Sequence, residues 1–245
     1  PIVEINQHIL KQTLAPIWHK KAESAEKALN RINIALRHAA ALGLAVDLQA
    51  PMKAKALLGK QRRTTTHIPS MPYADLPAFY KWLKAQDTVA AAGLRLLILT
   101  VARTSEVRLS TSPEFAGDIW MLPGDRTKTG AGRRIPLVAE AQAIIRERIS
   151  GAPPQFLFPA YRGKPISDAA MATMMKRAGY SARPHGFRAS FRTWVEEQTD
   201  APFEVKEACL GHAVDTGVVG AYQRSDRLEK RRALLTRWET FVLEG

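Results

Sequence analysis

Five short polar clusters in this 245-residue sequence carry side chains suited to chemistry on a phosphodiester: Ala102-Arg-Thr-Ser-Glu-Val107, Arg126-Thr-Lys128, Pro184-His-Gly-Phe-Arg188, Leu210-Gly-His212 and Ala221-Tyr-Gln-Arg224. A phosphodiester under attack gathers negative charge on its non-bridging oxygens. Planar guanidiniums with paired donors, such as Arg103 and Arg188, are well shaped to hold them. Imidazoles, here His185 and His212, can donate to the same anion or relay a proton. A phenol such as that of Tyr222 has an ordinary pKa of about 10, so it needs a base and nearby positive charge to act as a nucleophile at neutral pH. Each cluster taken alone also has a plain reading. Arg103 can simply pair with Glu106 at a helix start, His185 and Arg188 can form a surface pair three residues apart, and Lys128 can be a solvated turn residue. Tyr222 can be a half-buried helix tyrosine, and His212 with Cys209 makes only half of a metal set.

The elements that must position these residues divide the chain in two. From about residue 5 to 60 the pattern is helical. Ser24 is read as the cap of a helix in which Ala25, Leu29, Ile32 and Leu36 form one apolar stripe, ending at Gly43. Lys27, Arg31 and His38 form a basic row on its other side, interrupted by Ile34. Residues 60–72 contain charge, threonines and two prolines without an apolar period, so they read as a linker. The domains are set at 1–62 and 73–245 with 63–72 between them. Leu76 to Ala85 and Val89 to Val101 read as helices, the second apolar enough to be buried. Asp118–Leu122 and Arg134–Val138 read as strands joined by the basic, glycine-bearing turn Asp125–Arg134, and helices are expected around 139–150, 168–178, 186–198, 202–209 and 226–243. The expected fold is mainly α with a small antiparallel β-sheet.

Composition narrows the partners. Lysine and arginine number 36 against 23 acidic residues, a net charge of +13. An excess of that size points to a polyanion, and nucleic acid is the first to consider. A hydrophobic content of 46% excludes wholesale disorder. No apolar run of membrane-spanning length and no signal stretch is present, which places the chain in the cytoplasm rather than in a membrane. The single Cys209 cannot form an internal disulfide. The chain opens at Pro1, which reads as a fragment or processed piece.

Taken in order, the clusters resemble the signature of the tyrosine recombinase (phage integrase) family: Arg, a β-hairpin Lys, His-x-x-Arg, His or Trp, then a nucleophilic Tyr. The wording of Arg103-Thr-Ser-Glu-Val-Arg108, Arg183-Pro-His-Gly-Phe-Arg188, Leu210-Gly-His212, Ala221-Tyr-Gln-Arg224 and Glu229-Lys-Arg-Arg-Ala-Leu234 is similar to that of prophage and genomic-island integrases. The resemblance covers residues 70 to 245, with the first 60 resembling the family's helical core-binding domain. It implies a site-specific recombinase that cuts and rejoins DNA through a covalent 3'-phosphotyrosine link, with no cofactor and no metal. Arg103, Arg188, His185 and His212 would hold the phosphate, Tyr222 would attack and Lys128, rather than the more basic Arg126, would protonate the leaving hydroxyl. Lys27, Arg31, Lys60, Arg62, Arg63, Arg133 and Arg134 are expected to face DNA. Double-stranded attachment sites would be the partner, with the two domains clamping the duplex. A homo-tetramer would form on synapsed DNA from free monomers, with the amphipathic tail 226–243 docking on a neighbouring protomer or packing within its own chain. Other readings are a dimer-resolving recombinase, a type IB topoisomerase-like enzyme, or a DNA-binding regulator that has lost catalysis.

Overall fold

The computed structural model describes residues 1–62, 69–127, 130–149, 156–212 and 226–244. They group into two compact units, Pro1–His67 and Ile68–Gly245.

The first unit is helical. Helix α1 (Gln7–Trp18) starts at Asn6, whose side chain accepts from the backbone N–H groups of His8 and Ile9. Helix α2 (Ala22–Ala41) begins two residues before the expected Ser24 cap, and Ser24 is an exposed residue of its first turn. Helix α3 (Ala50–Leu58) has Pro51 in its first turn, where a missing N–H costs nothing. Leu10, Leu14 and Trp18, spaced by four, pack with Ala25, Leu29, Ala50 and Ala54. Trp18 Nε1 donates to the Gly59 carbonyl at 2.9 Å, which fastens the end of α3 back onto α1.

The second unit opens with α4 (Leu76–Lys84) and α5 (Val89–Thr100), and burial of every residue from Ala91 to Thr100 except Arg95 places α5 at its centre, as its nearly continuous apolar sequence requires. The short α6 (Thr104–Arg108) follows. Strands β1 (Phe115–Ala116), β2 (Ile119–Leu122) and β3 (Arg133–Pro136) form an antiparallel sheet in the order β1-β2-β3. Helix α6 follows the helix start read at Arg103 and Glu106, while strand β1 is too short for a period to have placed it. Trp120 pairs with Ile135 and Leu122 with Arg133, so these four side chains share the covered face. Helices α7 (Ala139–Ile149), α8 (Ala170–Arg177), α9 (Phe187–Gln198), α10 (Phe203–Leu210) and α11 (Leu228–Glu244) complete the unit.

The tail packs within its own chain. Leu234, Leu235, Trp238 and Val242 on α11 are part of the core of the second unit. Trp238 Nε1 donates to the Ile98 carbonyl at 2.9 Å, and the Glu239 carboxylate accepts from the Glu140 N–H at 2.6 Å in the first turn of α7. Of the two readings of the tail, packing within its own chain is the one these contacts favour. Among the described residues no helix is long and apolar enough to cross a membrane.

Candidate active site

Helix α5 ends at Val101, a β-branched residue in the left-handed region at φ 53°, and this turn aims the chain into α6. Arg103 then occupies the N-cap of α6. Its backbone N–H donates to Glu106 Oε2 at 2.7 Å and its Nη1 to Glu106 Oε1 at 2.8 Å, while Nη2 reaches the Gly211 carbonyl at 3.4 Å. The plain pairing with Glu106 and a place in the site are thus both true of Arg103. Glu106 is 1% exposed. Burial alone would raise its carboxyl, but the Arg133 charge and the hydrogen bonds from Arg103 hold it below the usual carboxylate range.

Arg188 sits in the first turn of α9 and is buried. Its Nη1 donates to the Val101 carbonyl at 2.5 Å and its Nη2 to the Leu210 carbonyl at 2.6 Å, with Nη2 also 3.2 Å from His212 Nε2. Burial and the neighbouring Arg103 and Arg133 bring it down to about 10, which still leaves a cation at neutral pH. His185 lies in the 3-10 turn Pro184–Gly186 just before α9. Glycine is required there: a Cβ on Gly186 would lie 2.4 Å from the Pro69 carbonyl oxygen, and Arg183 N–H donates to that same oxygen at 3.0 Å. Partial loss of hydration, then the charges of Arg188 and Arg103 and the nearby His212, lower the pKa of this exposed His185 from the ordinary imidazole value. It is therefore neutral at pH 7 and able to accept a proton.

His212 follows Gly211, the left-handed residue that ends α10 at φ 63°. Its Nδ1 is 2.6 Å from Glu207 Oε2, and the other Glu207 oxygen takes Arg192 at 3.1 Å. Glu207 thereby orients the ring, with Nδ1 as donor and Nε2 turned toward Arg188. The sequence reading passed over Glu207. The only trace of it was spacing, because a helix ended by a left-handed glycine folds residue 212 back toward residue 207.

Arg103, Arg188 and His212 thus meet at the turn Leu210-Gly211-His212, with His185 in the same field of charge. Lys128 and Tyr222 lie outside the described residues, as does Arg63. Arg126, the other hairpin cation, is engaged at the hairpin base with Glu114 and the Leu109 carbonyl. Of the side chains expected to face DNA, Lys27, Arg31, Lys60 and Arg62 are exposed, Lys27 in an ion pair with Glu23 at 2.6 Å. Arg134 is exposed but bonds Asp226 twice at 2.8 Å. Arg133 needs correction. The strand begins one residue earlier than the sequence reading had it, so alternation turns Arg133 inward beside Ile135, with its side chain 14% exposed and its Nη2 3.2 Å from Glu106 Oε2. Among the described residues no group of three or more His, Cys, Asp or Glu side chains could hold a metal ion.

Comparison with known proteins agrees with this geometry. The chain is 29% identical over 246 residues to the prophage integrase IntZ of Escherichia coli K12, covering 96% of this chain and 59% of that one. It spans about three fifths of the length of the curated relatives it matches. Its fold is similar to that of lambda integrase (75–356) in a dimer bound to a COC' core site, with a TM-score of 0.67 at 17% identity over 88% of this chain and 82% of that one. It is also similar to lambda integrase in a tetramer bound to a Holliday junction, with a TM-score of 0.65 at 16% identity over 93% and 66% of the two chains. The sequence model of the phage integrase family matches residues 70–229, from the linker's end across every motif of the site, and the chain belongs to that family.

Proposed function

We propose that this chain is the DNA-binding and strand-transferring part of a site-specific recombinase that integrates or excises a mobile element. The observation that carries the reading is the convergence of Arg103, Arg188 and His212 on one turn, ten residues before Tyr222 in the chain. A phosphate brought there meets two guanidiniums, one held by Glu106 and one by backbone carbonyls, so little is left to reorganise when charge develops on its oxygens. The family match and the fold likeness agree with this chemistry.

In the step we propose, the Tyr222 phenolic oxygen attacks phosphorus while its proton passes to neutral His185. The bond from phosphorus to the 5' oxygen breaks, a 3'-phosphotyrosine forms, and the 5' oxygen leaves as a hydroxyl with a proton from Lys128. The ester energy stays in the phosphotyrosine, so a hydroxyl from another strand reverses the step without an added energy source. Arg103 and Arg188 neutralise the phosphorane, with His212 beside them on the same turn, which is the work a metal does in many nucleases. Lys27, Arg31, Lys60 and Arg62 would contact phosphates from the first unit, with the two units closing on a duplex. Four protomers would assemble on two synapsed duplexes, as lambda integrase does on a Holliday junction. The site of action would be the bacterial cytoplasm.

A duplex carrying the end sequence of the element that encodes the chain, nicked beside the exchange point, tests this. The nick lets the short leaving strand diffuse away and traps the adduct. The expected result is a protein–DNA adduct with the wild type and none with Tyr222→Phe, which keeps the ring and the binding face but removes the nucleophile. A DNA substrate with sulfur in place of the bridging 5' oxygen needs no general acid, so it should restore cleavage to Lys128→Ala and not to Tyr222→Phe. An adduct formed by Tyr222→Phe would overturn the assignment.

A further inference from the structure

Arg133 is the one group in the cluster to which the mechanism assigns no work. It occupies a covered strand position opposite Leu122, where an apolar side chain would serve packing better. Of its guanidinium nitrogens, Nη2 meets Glu106, while Nε and Nη1 are shut from solvent and have no hydrogen-bond partner among the described residues. It therefore cannot hold the phosphate itself. What it does touch is the turn on which the site converges: a Cβ built on Gly211 would lie 1.7 Å from Arg133 Nη1, so the guanidinium rests against the bare Cα of a left-handed glycine. The neighbouring carbonyls of that turn are taken by Arg188, at Leu210, and by Arg103, at Gly211.

We propose that Arg133 is a positioning residue that locks the Leu210–His212 turn and the Glu106–Arg103 pair together, so that Arg103 and His212 face one phosphate. The proposal rests on the recombinase reading above. Two contacts of one rigid fork do this. Glu106 is shared between Arg103 and Arg133, so its carboxylate cannot swing with Arg103 toward an incoming anion, and the fork's flat face sets how close the turn may come. Arg133 also adds a largely covered charge beside Arg188 and Arg103, which strengthens the site's pull on an anion. Its strand follows directly on the hairpin that bears Lys128, so the same side chain ties the acid-bearing hairpin to the turn that precedes Tyr222.

The test uses the full chain with Arg133→Ala and Arg133→Lys. On the nicked duplex, Arg133→Ala should bind within about twofold of wild type but form adduct about 100-fold more slowly, the scale of a misplaced oxyanion donor. Arg133→Lys can reach Glu106 but lacks the flat fork, and should recover about tenfold of that loss. The sulfur-substituted duplex should not restore the rate, since the defect lies at the phosphate and not at the leaving group. A second readout needs no DNA: the rise in melting temperature caused by 10 mM inorganic sulfate, counting only the part that Arg103→Ala abolishes, should vanish in Arg133→Ala as well. Adduct formation at the wild-type rate would overturn the proposal. So would rescue by sulfur, or an intact sulfate increment beneath a merely lowered melting point. If Arg133→Ala does not fold, Arg133→Met keeps the apolar stem and takes its place. A wild type that forms no adduct would count against the recombinase reading, while the sulfate measurement would still decide the role of Arg133.

Discussion

Replacement of Trp238 by alanine tests whether the C-terminal helix belongs to its own catalytic unit. The indole is fully buried, packed between Phe191 at 5.3 Å, Trp194 at 5.0 Å and Phe241 at 5.8 Å. Its Nε1 satisfies the Ile98 carbonyl in the last turn of α5, where no helical partner remains. Emptying a site of this kind costs about 3–5 kcal/mol, and the orphaned carbonyl adds about 1 kcal/mol. For a unit of this length each kcal/mol moves the melting temperature by about 2–4 °C, so Trp238→Ala should melt roughly 10–20 °C below wild type. Deletion after Arg227 goes further, removing Leu234, Leu235 and Val242 as well as Trp238 from the core. At about 2 kcal/mol for each buried side chain, with more for the tryptophan, the loss of roughly 8–10 kcal/mol matches the whole stability of an ordinary domain, and no cooperative unfolding transition should remain. Far-UV circular dichroism melts of the DNA-free chain, at two protein concentrations, measure both variants. A truncated chain that still melts cooperatively within about 5 °C of wild type would refute the packing argument and return α11 to a role between protomers.

Glu207→Gln keeps the size of a buried side chain but no longer offers His212 Nδ1 an anion at 2.6 Å. Single-turnover cleavage should fall by at least about tenfold while DNA affinity holds, and equal rates would show that the ring needs no orienting group. His185 is lowered from the ordinary imidazole range by partial loss of hydration and by adjacent cations, so its neutral form prevails at pH 7 and is lost only as the pH falls further. The acid limb of kcat/KM should therefore have its midpoint below about 6.5 and disappear in His185→Gln; a midpoint above 7 would contradict the assignment of the base. Burial pushes the Cys209 thiol up to about 12. A disulfide reagent at pH 8 should leave the native chain unlabelled and react with one thiol per chain once guanidinium unfolds it.

What could be read before folding is whatever depends on neighbours a few residues away. The apolar run Val89–Thr100 has to be interior, the glycine-bearing turn between two short apolar segments has to be a hairpin, and the order of Arg103, His185, Arg188 and His212 announces anion chemistry, because side-chain type and local spacing carry those facts. Ser24 and Arg133 show the limit of such reading. The N-cap falls at Lys21, three residues before Ser24, and a strand that begins one residue earlier than read takes in Arg133, which alternation then turns inward against Gly211 instead of toward DNA. The pairing of His212 with Glu207, the sharing of Glu106 by two arginines and the docking of α11 beneath α5 join residues that local pattern cannot match to one another. An amphipathic stripe states that a face must be covered, and a buried charge states that it must be paired. Which of many apolar faces and opposite charges fulfils the demand is decided only when the whole second unit closes around α5, since burial and pairing are minimised together over the entire core.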